Sequence, residues 1–281
     1  MKKLITTLIV LIGVMFVLSN AEAQSGKTKA TWLWNTYTIT DEQTITFIVE
    51  KEVTSVYLQI DPSLPNEMYA DFIGKMNTAG IEVQALDGAP DWDTTYFDTL
   101  WEWLSQYQES YPDAPFTAVH LDVEPYLSEF WESNEPMAIY QYQELLQHAM
   151  EQAHTAELKL EVDIPFWYDE VLYKNTFGKG NLAEWIIKNV DGISIMAYRN
   201  TVPALKRVTE NEMKYAKKYE TPVVIGVETI PFPKEPEVSF SAKGEKRMNG
   251  MLSQINKHYA NHRYFDGVAV HHVDSWMGMK K

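Results

Sequence analysis

Apolar runs of strand length alternate with helical patterns along the 281-residue chain, which predicts an α/β fold: a single domain of eight parallel strands closed into a (β/α)8, or TIM, barrel. Three observations carry this expectation. Eight short apolar runs recur from residue 30 onward, with helical patterns between most of them. Eight strand–helix units match a barrel of about 250 residues. The chain also lacks the Gly-x-Gly-x-x-Gly or Walker-type loop that a doubly wound nucleotide-binding sheet carries early.

In chain order, Lys2 and Lys3 precede an apolar run from Leu4 to Leu18, and Ser19-Asn20-Ala21-Glu22-Ala23 has the small-x-small form of a secretory cleavage site. The run is shorter than the ~20 residues that span a bilayer. Residues 1–23 are therefore expected to be a signal peptide and residues 24–281 the barrel domain, secreted and free of the membrane after cleavage. Strands are expected over residues 30–35, 54–61, 81–87, 117–124, 158–165, 192–198, 222–228 and 267–272. Helical spacing covers 66–78, 96–107, 136–154, 182–189, 205–219 and 245–258. Residues 41–52 make a poor helix, and only seven residues follow Asp274, so the eighth helix is expected to be missing or reduced.

With 45% hydrophobic and 13% aromatic residues the chain can bury a full core. A formal charge of −15 and the lack of a basic run argue against nucleic acid as a partner. The absence of cysteine removes disulfides, thiolate metal sites and thiol nucleophiles.

Polar residues gather where the strands end, which is where this barrel places its active site. Asp61, Asp87, Glu124, Tyr198, Glu228, His271, His272 and Asp274 hold such positions. Asp61 and Asp87 could equally be turn residues, since aspartate is common where strands stop. The fourth strand is the most informative. Alternation sends His120, Asp122 and Glu124 to one face and Val119, Leu121 and Val123 to the helix-facing side. Two inward carboxyl groups sharing a proton would titrate high, and a carboxylic acid protonated near neutrality is what cleavage of an acetal bond needs. Glu161 and Asp163 repeat the pattern on the fifth strand and read as support for this polar layer. A structural polar network is the alternative.

These residues resemble the D-x-x-D-x-D-x-E motif of family 18 glycoside hydrolases, the chitinase-like barrels, with Thr117, His120, Asp122 and Glu124 at its four positions. Met196-Ala-Tyr198 resembles that family's Met-x-Tyr. The resemblance implies Glu124 as general acid/base, Asp122 as the partner that steadies a substrate acetamido group, and Tyr198 as a donor to that group. It also implies retention of configuration without a cofactor. The chain departs from the pattern at Thr117 and His120, at Arg199 after the tyrosine, and at His271 in place of the eighth-strand tryptophan.

A second glycosidase reading pairs Glu124 with Glu228 as nucleophile, similar to two-glutamate retaining barrels; it needs the two carboxyls ~5 Å apart. Aromatic rings supply sugar platforms, and Trp34, Trp92, Trp131, Trp167 and Trp276 lie near strand ends. With His120, Asp61, Asp87, Arg199 and His271, most of these make the candidate substrate-binding set. A catalytic metal is disfavoured because His271 and His272 point to opposite sides of a strand. The expected partner is a poly- or oligosaccharide, and a lectin-like barrel without turnover is the competing class.

Overall fold

A computed structural model of the protein describes residues 27–280, so the leader expected over residues 1–23 lies outside the described residues. The strands are β1 (Thr28–Leu33), β2 (Ser55–Gln59), β3 (Glu82–Asp87), β4 (Ala118–Leu121), β5 (Lys159–Pro165), β6 (Leu172–Asn175), β7 (Gly178–Asn181), β8 (Gly192–Met196), β9 (Val223–Glu228) and β10 (Phe265–His271). All but β6 and β7 close a barrel in the order β1-β2-β3-β4-β5-β8-β9-β10, each neighbour parallel. The eight barrel strands overlap the eight expected segments. The β6–β7 pair is an antiparallel hairpin inserted after β5, and its glycine-rich, largely exposed sequence carries no periodic signal.

The helices are α1 (Glu42–Glu50), α2 (Asn66–Thr78), α3 (Thr94–Ser110), α4 (Glu129–Thr155), α5 (Leu182–Asn189), α6 (Val202–Val208), α7 (Glu210–Tyr219), α8 (Glu245–His258) and α9 (Val273–Met277). The poor helix expected at residues 41–52 is a regular one. Asp41 caps it by accepting from the Gln43 amide, and Ile45 and Ile48 bury against the strands, so packing overrides a β-branched sequence. The eighth helix is reduced to the five residues of α9. Helix α4 starts seven residues before the apolar periodicity, because the Ser128 hydroxyl accepts from the Trp131 amide and a break at Asn134 joins this turn to the main helix.

Inside the barrel, Ala30, Trp32, Tyr57, Leu86, Val224 and Ala269 form their own apolar cluster, separate from the larger core between strands and helices. Small residues on one side admit large ones from the other. A Cβ on Gly226 would lie 3.2 Å from Cη2 of Trp32 and 3.0 Å from the Ile195 carbonyl oxygen. The inward Trp32 and Tyr57 thus fill the barrel interior.

Candidate active site

The carboxyl end of β4 can approach β3 closely only because residue 88 is glycine. A Cβ there would stand 2.2 Å from the Asp122 carbonyl oxygen, while the Asp122 amide donates to the Asp87 carbonyl at 3.0 Å. Beyond β4 the chain carries His120, Asp122 and Glu124 upward from the interior to the mouth. His120 is fully buried, and Asp122 and Glu124 are partly exposed.

The deepest layer is a hydrogen-bonded chain across four strands. His120 Nδ1 pairs with Gln84 Oε1 at 2.8 Å, and Gln84 Nε2 donates to Glu161 Oε2 at 3.0 Å. Trp32 Nε1 donates to Asp163 Oδ2 at 2.7 Å, and Tyr57 stacks on the imidazole at 3.9 Å. Burial lowers the His120 pKa to about 4, so the ring is neutral. With its Nδ1 proton committed to Gln84, Nε2 turns a lone pair toward Asp163 Oδ1 at 3.1 Å. Two lone pairs would repel there, so a protonated Asp163 completes the contact. Burial pushes the Asp163 carboxyl well above the usual aspartate range, in keeping with that proton.

Above this layer the acids are desolvated and short of donors. Asp122 is raised by burial and then by the neighbouring Asp163 and Glu124 acids, and its Oδ1 is buried with no hydrogen-bond partner. Glu124 is raised by burial, offset in part by the Tyr126 hydroxyl, which donates to Oε1. Burial raises the Tyr198 phenol, and Glu228, Asp122, Asp163 and Glu124 raise it further.

Across the mouth, Glu228 is 2% exposed and accepts from the amides of Thr229 and Ile230 and from His271 Nδ1, whose ring lies beside Trp34. Arg199 stands over the Phe166 ring and donates to the Tyr198 carbonyl, bracing the end of β8. Trp167 packs edge-on against Tyr126, two residues from Glu124, with centroids 4.8 Å apart. Trp92 lines a 190 Å³ groove with Pro125, Ser128, Phe130 and Tyr142, next to Glu124 along the chain. Trp131 stacks parallel to Tyr168.

Four expected substrate contacts are corrected. Trp276 is 1% exposed in α9, donates to Glu245 and packs edge-on against Phe47, because a helix rather than a loop follows β10. His120 is sealed beneath Asp122. Asp61 accepts from the amide and hydroxyl of Ser63, a local turn. Asp87 is held by Gln59 Nε2 and the Gly88 amide, which makes it a brace of the β2–β3 edge. A basic cluster does exist: Lys206, Arg207, Lys214 and Lys217 line a 420 Å³ groove with helices α6, α7 and α8. Its four members fall within residues 206–217, interrupted by acidic and apolar positions, on the adjacent helices α6 and α7.

Sequence reasoning missed Tyr126, Tyr142 and Tyr168. The Tyr142 and Tyr168 hydroxyls are buried without partners, and the Asp122 and Glu124 charges raise both phenols beyond the effect of burial. Tyr126 carried a signal, since Glu-Pro-Tyr keeps it two residues from Glu124. The other two lie on segments that read as ordinary core. Larger grooves of 710 and 620 Å³ lie elsewhere and contain none of the mouth residues. Among the described residues, no three His, Asp or Glu side chains gather in a way that could hold a metal ion.

No protein-family profile and no curated protein matches the sequence. Solved structures do resemble the fold. A family 18 chitinase from Cycas revoluta bound to allosamidin shares a TM-score of 0.52 at 13% identity, over 88% of this chain and 95% of that one. A family 18 chitinase from Pseudoalteromonas aurantia gives 0.51 at 12%, over 88% and 94%. A family 10 endoxylanase from a sugarcane soil metagenome gives 0.54 at 12%, over 89% and 86%.

The chain thus has a closed parallel α/β barrel whose fold resembles that of the family 18 chitinases.

Proposed function

We propose that this barrel is a secreted glycoside hydrolase that cleaves an extracellular N-acetylated glycan, with Glu124 as general acid/base. One observation carries the reading: Glu124 is a half-buried carboxyl whose pKa is raised by desolvation, at the carboxyl end of β4, beside an acid with an unpartnered oxygen. A raised pKa keeps the proton on Glu124 at the pH where a leaving saccharide must receive it. As the bond breaks, the acetamido oxygen of the same sugar attacks its own anomeric carbon. Asp122 accepts from the acetamido N–H through its free oxygen, and Tyr198 donates to the acetamido carbonyl. Water, deprotonated by Glu124, then opens the ring intermediate with retained configuration. Support for N-acetylated substrates comes from the Cycas revoluta chitinases solved with (GlcNAc)4 and allosamidin.

The two-glutamate route asks for a free oxygen on Glu228 and meets a carboxylate with both oxygens engaged. The test is a panel of polysaccharides read by released reducing ends. E124Q is expected to lower turnover roughly 10²–10⁴-fold. The alkaline limb of the wild-type pH profile should lie above the ordinary glutamate value of 4.5, because activity is lost as the acid ionises through its raised pKa. Undiminished cleavage by E124Q rejects the assignment of the acid. Binding without cleavage by the wild type makes the protein a lectin-like barrel instead.

A further inference from the structure

Glu228 ends β9 among backbone donors. Its Oε1 accepts from the Thr229 and Ile230 amides, each at 2.6 Å, and its Oε2 accepts from His271 Nδ1 at 2.9 Å. A nucleophilic carboxylate has to turn a lone pair toward an anomeric carbon, and here three donors already hold the group in place. Thr229 fastens the same corner, since its amide and its hydroxyl reach the His271 carbonyl at 2.8 and 2.6 Å.

The next link in the chain defines the state of His271. Trp34 Nε1 lies 2.9 Å from His271 Nε2. An indole N–H can only donate, so Nε2 must carry a lone pair and the single ring proton sits on Nδ1, facing Glu228. Both nitrogens are then consumed, and the ring has nothing left to offer a substrate but its carbon face and edge. That ring sits within a set of aromatic neighbours, with centroids 5.3 Å from Trp32, 6.3 Å from Trp34 and 5.7 Å from Tyr198.

We propose that Glu228 is a positioning residue: it fixes His271 as the neutral Nδ1–H tautomer, so that His271 and Trp34 form one rigid aromatic wall for the sugar that Glu124 protonates. This rests on the glycosidase reading of the mouth, but the tautomer can be tested without it. The imidazole thereby does the work of a flat apolar ring while remaining tied at both edges. Replacing the carboxylate by an amide sets an N–H against His271 Nδ1–H. The imidazole must then move its proton to Nε2, where it collides with the indole N–H, or rotate away.

The experiment combines two readouts on E228Q, E228A and wild type, with folding checked by thermal melts. Long-range ¹H–¹⁵N spectra of the wild type at pH 7 should show His271 as the neutral Nδ1–H tautomer, and E228Q should change that signature. With (GlcNAc)4 as the probe, E228Q is expected to lose roughly 10- to 100-fold in kcat/KM, mostly through KM. E228A in azide should release no glycosyl azide. Wild-type His271 found as the Nε2–H tautomer or doubly protonated would overturn the proposal, and so would glycosyl azide from E228A. If the wild type cleaves nothing, the glycosidase reading fails, while the spectra still decide the tautomer.

Discussion

On the β4–β5 side of the mouth, Asp163 is buried and Asp122 partly buried with few donors, and desolvation drives both carboxyls toward the protonated form. On the β9–β10 side, Glu228 is buried as deeply yet accepts three hydrogen bonds and anchors an imidazole. Burial alone therefore does not determine what a carboxyl group does in this barrel. The number of donors decides: a starved acid is driven toward its protonated form, and a satisfied carboxylate holds its neighbours still.

The sharpest way to break this contrast is D122N. Removing the acid beside Glu124 is expected to cost roughly 10²–10³-fold in turnover. The same change should stabilise the fold at neutral pH. The Asp122 carboxyl titrates above its ordinary 3.8, so its contribution to stability is full below that value and is lost as pH rises through the raised pKa. An asparagine does not ionise. Thermal melts should place D122N above the wild type at pH 7, by roughly 2–4 °C per kcal/mol of relieved desolvation, and level with it near pH 3.5. A wild-type melt that is higher at pH 7 than that of D122N would mean Asp122 is well satisfied, and the contrast would collapse.

Glu212 isolates the burial effect from the chemistry. It lies on α7 with neither carboxyl oxygen partnered, and burial raises its pKa to about 8, with Asp169 adding to the shift. Stability should decline as pH rises from 4.5 through about 8. E212Q should remove that decline, gaining on the order of 5 kcal/mol at pH 9 and nothing at pH 4, with unchanged kcat. Equal pH dependence in the two proteins would show that Glu212 finds solvent or a donor.

The smallest effect belongs to Trp276. W276F loses the bond to Glu245 and should cost roughly 1–2 kcal/mol in urea unfolding, with kcat/KM unaltered. A raised KM would return Trp276 to the mouth.

Much of the barrel was legible because strands and helices bury opposite faces with different periods. Helices α2, α5 and α8 match the expected segments residue for residue, since their apolar positions recur at helical spacing and Gly80 lies just past the end of α2. Helix α1 was underestimated because its β-branched residues lower the propensity while tertiary burial pays for the helix. The apolar spacing over residues 205–219 runs through Thr209 unbroken and so does not mark the boundary between α6 and α7. At the mouth, the alternation of His120, Asp122 and Glu124 was visible, but the depth at which each would rest was not.

The sequence by itself determined the closed parallel sheet and the inward polar face of β4, because periodicity is a local property of neighbouring residues. It did not determine which acid would be starved of donors and which satisfied. The bond from Trp34 to His271 joins residues 237 apart, that from Trp32 to Asp163 joins residues 131 apart, and the His271–Glu228 bond exists only where β9 and β10 lie side by side. Hydrogen bonds at such separations are set by ring closure and packing, and they decide which carboxyl group keeps a proton.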